Sequence, residues 1–155
     1  MTLRLPGSKR NLFQDNTSSD EGYKQEIKEY VMGIHSSNFQ ARLDKDVRFT
    51  DDSVLIAEAA GAEIYAPLIL PQGAVLLKAV VYGNGLAEAR TWSLASRSID
   101  QAGNTIIFNG NVNNSSSNPF IGSDIIIENE NKQYFLHVNC VQLDRISGAR
   151  IWYEV

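Results

Sequence analysis

The chain has little of what most small enzymes and many secreted domains depend on. It carries one cysteine, Cys140, in 155 residues, so no internal disulfide can staple it. Cys140 sits among strand formers in "FLHVNCVQL", and a small buried hydrophobe is the role that this setting predicts. Histidine is scarce too. His35 and His137 are far apart and neither has a partner at metal-ligand spacing, so no metal site is expected. Asp44 with Asp46 and Asp51 with Asp52 lack the graded oxygen donors of a calcium loop and read as solvated charges. There is no long hydrophobic run, and no apolar stretch follows Arg4, Lys9 and Arg10, so neither a membrane span nor a secretory signal is predicted. Basic charge is not in excess. A net charge of -4 and a pI near 5.1 give no general attraction to nucleic acid or to an anionic membrane.

With 43% hydrophobic and 21% charged residues, the composition is that of an ordinary globular chain, long enough to bury a core. Two textures divide it. Residues 1–52 read as an N-terminal arm with a short helix over about 20–33, and residues 53–155 as a β-sandwich domain. The helix expectation rests on a capping box, Ser18-x-x-Glu21, followed by Tyr23, Ile27, Tyr30/Val31 and Ile34 at helical spacing and Gly33 as a stop. From Ser53 onward, apolar runs of strand length are separated by Gly61, Pro71-Gln72-Gly73, Gly83-Asn84-Gly85, Gln101-Ala102-Gly103-Asn104, an Asn/Ser tract, Asn129-Glu130-Asn131 and Ser147-Gly148. They predict strands at 53–58, 62–69, 74–82, 89–97, 104–108, 121–128, 133–143 and 147–155, and hence a mainly β, antiparallel, jelly-roll-like sandwich of about eight strands. Two of these runs are apolar on both faces. Strands of that kind are covered on both sides, which for 74–82 predicts a neighbouring subunit or the N-terminal segment as the second cover.

Candidate chemistry is sparse. "VVYGNGLAEA" resembles the start of a phosphate-cradling loop. Yet its sixth fingerprint position is Glu88 and no Lys-Ser/Thr follows, so a tight hairpin at Asn84-Gly85 is the expected structure and no nucleotide cofactor is implied. Asp124, Glu128 and Glu130 could pair as hydrolytic carboxylates, but any acidic sandwich surface offers such pairs, and no catalytic residue is assigned. A sugar site would draw on Trp92, Trp152, Tyr82, Tyr134 or Tyr153 and on the loop with Asn109, Asn111, Asn113 and Asn114, the candidate ligand or interface loop. Leu3, Arg4, Leu5, Lys9, Arg10, Leu12 and Phe13 form a basic and apolar segment that reads as a partner-docking arm.

The run from Tyr65 to Gly85, with Leu70, Pro71, Gly73 and Ala74 as a turn opening a core strand, and the closing strand with Gly148, Arg150 and Tyr153, resembles small jelly-roll modules of phage and other virion proteins. The resemblance covers about residues 62–155. It implies a non-enzymatic assembly protein of a virus particle, a head-decoration or tail- or fibre-associated module, homo-oligomeric with a trimer favoured, made in the host cytoplasm and attached to other structural proteins through its arm. A carbohydrate-binding β-sandwich is the alternative expectation and a glycoside hydrolase the weaker one.

Overall fold

The computed structural model of the chain describes residues 28–50, 54–84, 90–117 and 124–155. The segment expected to be a docking arm, with Leu3, Arg4, Leu5, Lys9, Arg10, Leu12 and Phe13, lies outside the described residues, as do Asp51, Asp52 and Gly85–Ala89.

The described residues form two packed antiparallel sheets. In chain order the strands are β1 (Glu29–His35), β2 (Gln40–Ala41), β3 (Val47–Phe49), β4 (Leu55–Ala57), β5 (Ala62–Leu68), β6 (Val75–Asn84), β7 (Thr91–Ser98), β8 (Thr105–Asn111), β9 (Ser116–Ser117), β10 (Ile125–Ile126), β11 (Lys132–Cys140) and β12 (Arg145–Glu154). One sheet runs β10-β6-β12-β4-β3, with β1 beside β12 and β9 beside β6. The other runs β2-β5-β11-β7-β8. Taking only the eight strands expected from the sequence, the first, eighth, third and sixth share one sheet and the second, seventh, fourth and fifth the other. Most successive strands therefore change sheet, which is how a jelly roll is wound.

Alternation explains the core. In β11, Tyr134, Leu136, Val138 and Cys140 point inward and are buried, while Gln133, Phe135, His137 and Asn139 face out. In β12, Ala149 and Ile151 point inward, and Arg150 and Trp152 outward. Trp92, Phe39, Phe108, Leu94, Ile64 and Leu136 are almost fully enclosed between the sheets. Each such side chain contributes roughly 1.5–3 kcal/mol by leaving water.

Five expectations are corrected. Where described, the helix expected over about 20–33 is the strand β1, paired residue for residue with β12 from Glu29↔Glu154 to His35↔Gly148. With β2 and β3 also in the sheets, residues 29–49 belong to the sandwich rather than to an arm. Gly83-Asn84 is no hairpin turn: β6 continues through both residues and pairs with β12, whereas β7 lies in the opposite sheet. A Cβ on Gly83 would stand 2.4 Å from the Arg145 carbonyl oxygen, so close approach and not turn geometry requires glycine there. Ser147-Gly148 is a bulge inside β12 rather than a turn, and the chain reverses at Val141–Asp144. Finally, the Asn/Ser tract is partly strand, for β8 extends to Asn111 and Ser116–Ser117 pairs with β6. Outward-facing Val80 of β6 is 3% exposed.

Candidate functional site

The outer face of the five-stranded sheet collects side chains from every strand in cross-strand rows. Residues opposite one another share a face, so the register places Gln40, Tyr65, His137, Ser93 and Asn109 in one row. The next row toward the Leu68 end of β5 holds Pro67, Phe135, Ala95 and Ile106. Arg97 and Gln133 begin a third row beyond that one.

At the centre lies an aromatic cluster. Tyr65 and His137 stack with ring centroids 4.7 Å apart, and Tyr65 and Phe135 meet at 5.9 Å with tilted planes. All three rings are half-buried. The Tyr65 hydroxyl donates to Glu63 Oε2 at 3.3 Å, and Arg42 donates to the same oxygen at 3.2 Å. Burial first, then the negative charge and hydrogen bond of Glu63, raises the Tyr65 pKa, so the phenol stays neutral. Burial pushes the His137 pKa below its ordinary value, and Glu63 opposes this only in part. His137 is thus a neutral ring near pH 7, and its Nε2 is shut from solvent without a hydrogen-bond partner among the described residues.

A depression opens on each side of the cluster. One, of about 520 Å³, is walled by Arg42, Arg97 and Gln133. The other, of about 570 Å³, is walled by Thr91, Ser93, Asn109, Asn111 and Asn139. Apolar ring faces beside fixed amides, hydroxyls and guanidinium groups suit a neutral polyhydroxylated ligand.

The expected ligand loop is divided by the structure. Asn109 and Asn111 line the second depression. Asn113 instead braces β6: its Oδ1 accepts from the Gly83 N–H at 3.0 Å and its Nδ2 donates to the Gly83 carbonyl at 2.9 Å. Its φ of 70° lies in the left-handed region that asparagine tolerates. Asn114 is an exposed turn residue whose N–H donates to the Asn111 carbonyl.

The expected sugar-binding aromatics are mostly elsewhere. Trp92 and Tyr134 are core residues, 1% and 4% exposed. Tyr153 stacks on Tyr30 at 5.6 Å, and Trp152 and Tyr82 face outward on the seven-stranded sheet. Tyr65 and Phe135 were missed, although the alternation Tyr134-Phe135-Leu136 already put Phe135 opposite the core. Asp124, Glu128 and Glu130 are exposed, and Glu128 pairs with Lys132 at 2.6 Å across one turn of chain. His35 and His137 belong to different sheets, and no group of three or more ligating residues gathers among the described residues. Burial raises the Cys140 thiol to about 12. No helix among the described residues is long and apolar enough to cross a membrane.

No protein-family model matches the chain, and no curated protein matches it. Two solved structures are similar to it. One is the N-terminal CBM22-1–GH10 modules of an endo-1,4-beta-D-xylanase from Clostridium thermocellum, complexed with xylohexaose, at 9% identity and a TM-score of 0.49. The other is a family two carbohydrate esterase from Cellvibrio japonicus, at 9% identity and a TM-score of 0.39. The matches cover 82% and 83% of this chain, but the chain spans only 28% and 34% of those two proteins.

Proposed function

We propose that the chain is a carbohydrate-binding β-sandwich module that presents the outer face of its five-stranded sheet to a neutral glycan. The observation that carries this reading is the half-exposed Phe135–Tyr65–His137 cluster between two depressions walled by amides, hydroxyls and guanidinium groups. Sugar rings stack their C–H faces on aromatic planes, and side-chain amides, which both donate and accept, read the hydroxyls. Binding rather than hydrolysis is favoured because Glu63, opposite Asn139, is the only carboxylate that the five strands of this sheet carry among the described residues, and it is engaged by Arg42 and Tyr65. Glycoside hydrolysis uses two carboxylates flanking the scissile bond.

A glycan array of neutral poly- and oligosaccharides is the test. Binding should appear and fall about three- to tenfold in Tyr65→Ala and in Phe135→Ala, with the circular dichroism spectrum preserved. A blank array, or affinities indifferent to both substitutions, would refute the reading.

One observation supports the assembly reading as a competitor. Ile106 (59% exposed) continues the Phe135 row to one sheet edge, and Ile69 (89% exposed) stands beyond Pro67 at the other side. A second copy or another structural protein would cover such a strip. Because both readings claim the same face, a native mass measurement separates them: an oligomer dissolved by Ile106→Asp and Ile69→Asp favours assembly.

A further inference from the structure

The outer face of the other sheet holds a further depression, of about 580 Å³, between β1, β12 and β6. It shares no residue with the glycan face. Its floor is Gly33 and Gly148, and its walls are His35, Tyr82, Ser147 and Arg150. The register sets Gly33 beside Arg150, and His35 and Tyr82 on either side of Gly148.

The two glycines differ in kind. Gly148 has φ +152°, and a Cβ there would meet the Ile34 carbonyl oxygen at 2.5 Å, so the bulge requires it. Gly33 answers to no such demand: its φ is ordinary, and among the described residues a Cβ would meet nothing within 4 Å. Glycine inside a strand weakens it and often marks a place where a ligand approaches. At Gly33 the described residues supply no other reason.

The polar walls are donors. Arg150 has no carboxylate partner among the described residues, and its guanidinium lies 5.8 Å from the centre of the Tyr82 ring, which helps to hold it over the depression. His35 Nδ1 accepts from the Ser37 N–H at 3.2 Å, so the neutral ring carries its proton on Nε2 and is a donor there. Ser147 and Tyr82 add hydroxyls. Among the described residues no acidic side chain lines the depression. Glu29 and Glu154, on the same face, stand four strand positions from Gly33 and Arg150, about 13 Å away.

We propose that this depression binds an acidic monosaccharide unit, a hexuronic acid, with the carboxylate on Arg150 and the ring over Gly33 and Gly148. A guanidinium fork matches a planar carboxylate with two parallel hydrogen bonds. A cavity of this size exceeds what a bare ion needs and leaves room for the ring carrying the carboxylate. Tyr82, Ser147 and His35 then reach its hydroxyls.

The test is an NMR titration of the full chain with glucuronate, with glucose and sodium sulfate as parallel arms at equal ionic strength. Glucuronate should shift the amides of Gly33, Gly148 and Arg150 saturably, and Arg150→Gln should weaken it at least about tenfold. Gly33→Val should block binding while holding or raising the melting temperature, because the Cβ site is open and valine favours strands. Tyr65→Ala, on the opposite sheet, should leave glucuronate binding unchanged even if the glycan face proves inactive. The proposal is overturned if glucose produces the same shifts, if sulfate does so as well as glucuronate (an anion site only), or if Gly33→Val still binds.

Discussion

Asp144 offers the sharpest test of how the sandwich holds its ends together. Its side chain is 2% exposed, and its Oδ2 accepts from Arg90 Nε at 2.7 Å and from the Val141 N–H at 2.8 Å. One carboxylate thereby ties the β11–β12 turn to the start of β7, in the opposite sheet from β12. Asp144→Ala would strand the Val141 amide and leave the Arg90 guanidinium, 14% exposed, without this partner. Breaking a buried pair from one side costs roughly 3–5 kcal/mol. Because Arg90 has a further interaction and some solvent, the low end applies, about 3 kcal/mol. For a chain of this size that lowers the melting temperature by about 6–12 °C. Asp144→Asn keeps an oxygen for the Val141 amide and should lose less. Urea melts of the wild type, both variants and the double variant Arg90→Met/Asp144→Ala would measure it. The double variant should recover part of the loss, since the cost lies in the orphaned charge more than in the lost attraction. An Asp144→Ala midpoint within about 0.5 kcal/mol of wild type would refute the reasoning.

Three further outcomes are expected. Asn113→Ala loses both hydrogen bonds to Gly83 and puts alanine at φ 70°, for a loss of about 2–3 kcal/mol in chemical denaturation; Asn113→Gly, which relieves the backbone, should lose about 1 kcal/mol less. Cys140, buried and with its pKa pushed up to about 12, should resist iodoacetamide at pH 8 in the folded chain and react once urea unfolds it, as intact-mass measurement would register. Because the His137 pKa is lowered on folding, the unfolded chain takes up its proton first. Stability should therefore be full above about pH 6.5 and decline as pH falls below that value. His137→Gln should flatten that part of a stability-against-pH curve, and a curve identical to wild type would contradict the assignment.

The sandwich was legible because its signals are local. Period-two alternation in residues 132–140 and 149–154 and the glycines at positions 73 and 103, both with positive φ, mark strands and reversals without knowledge of their partners. Residues 29–35 were not legible on those terms. Tyr30 and Ile34 fit a helical stripe, while Tyr30, Met32 and Ile34 fit a strand equally well, and what decides is the pairing with β12 over a hundred residues downstream. The same holds for Gly83-Asn84, whose partner strand cannot be read from a dipeptide. The candidate site was hidden for a related reason. Tyr65 and Phe135 each look like core residues of an apolar run, and only the register of β5 against β11 makes them neighbours on an outer surface.

The row Gln40, Tyr65, His137, Ser93, Asn109 takes one residue from each of five strands. Such a surface has no existence in any fragment of the chain and vanishes wherever the sheet opens. Occupancy and folding are thus a single equilibrium seen from two sides: a ligand at a hundred times its dissociation constant adds about 2.7 kcal/mol to global stability. Screening for ligands can therefore proceed by thermal shift alone, and hydrogen exchange should slow along all five strands at once rather than only beneath a bound ligand.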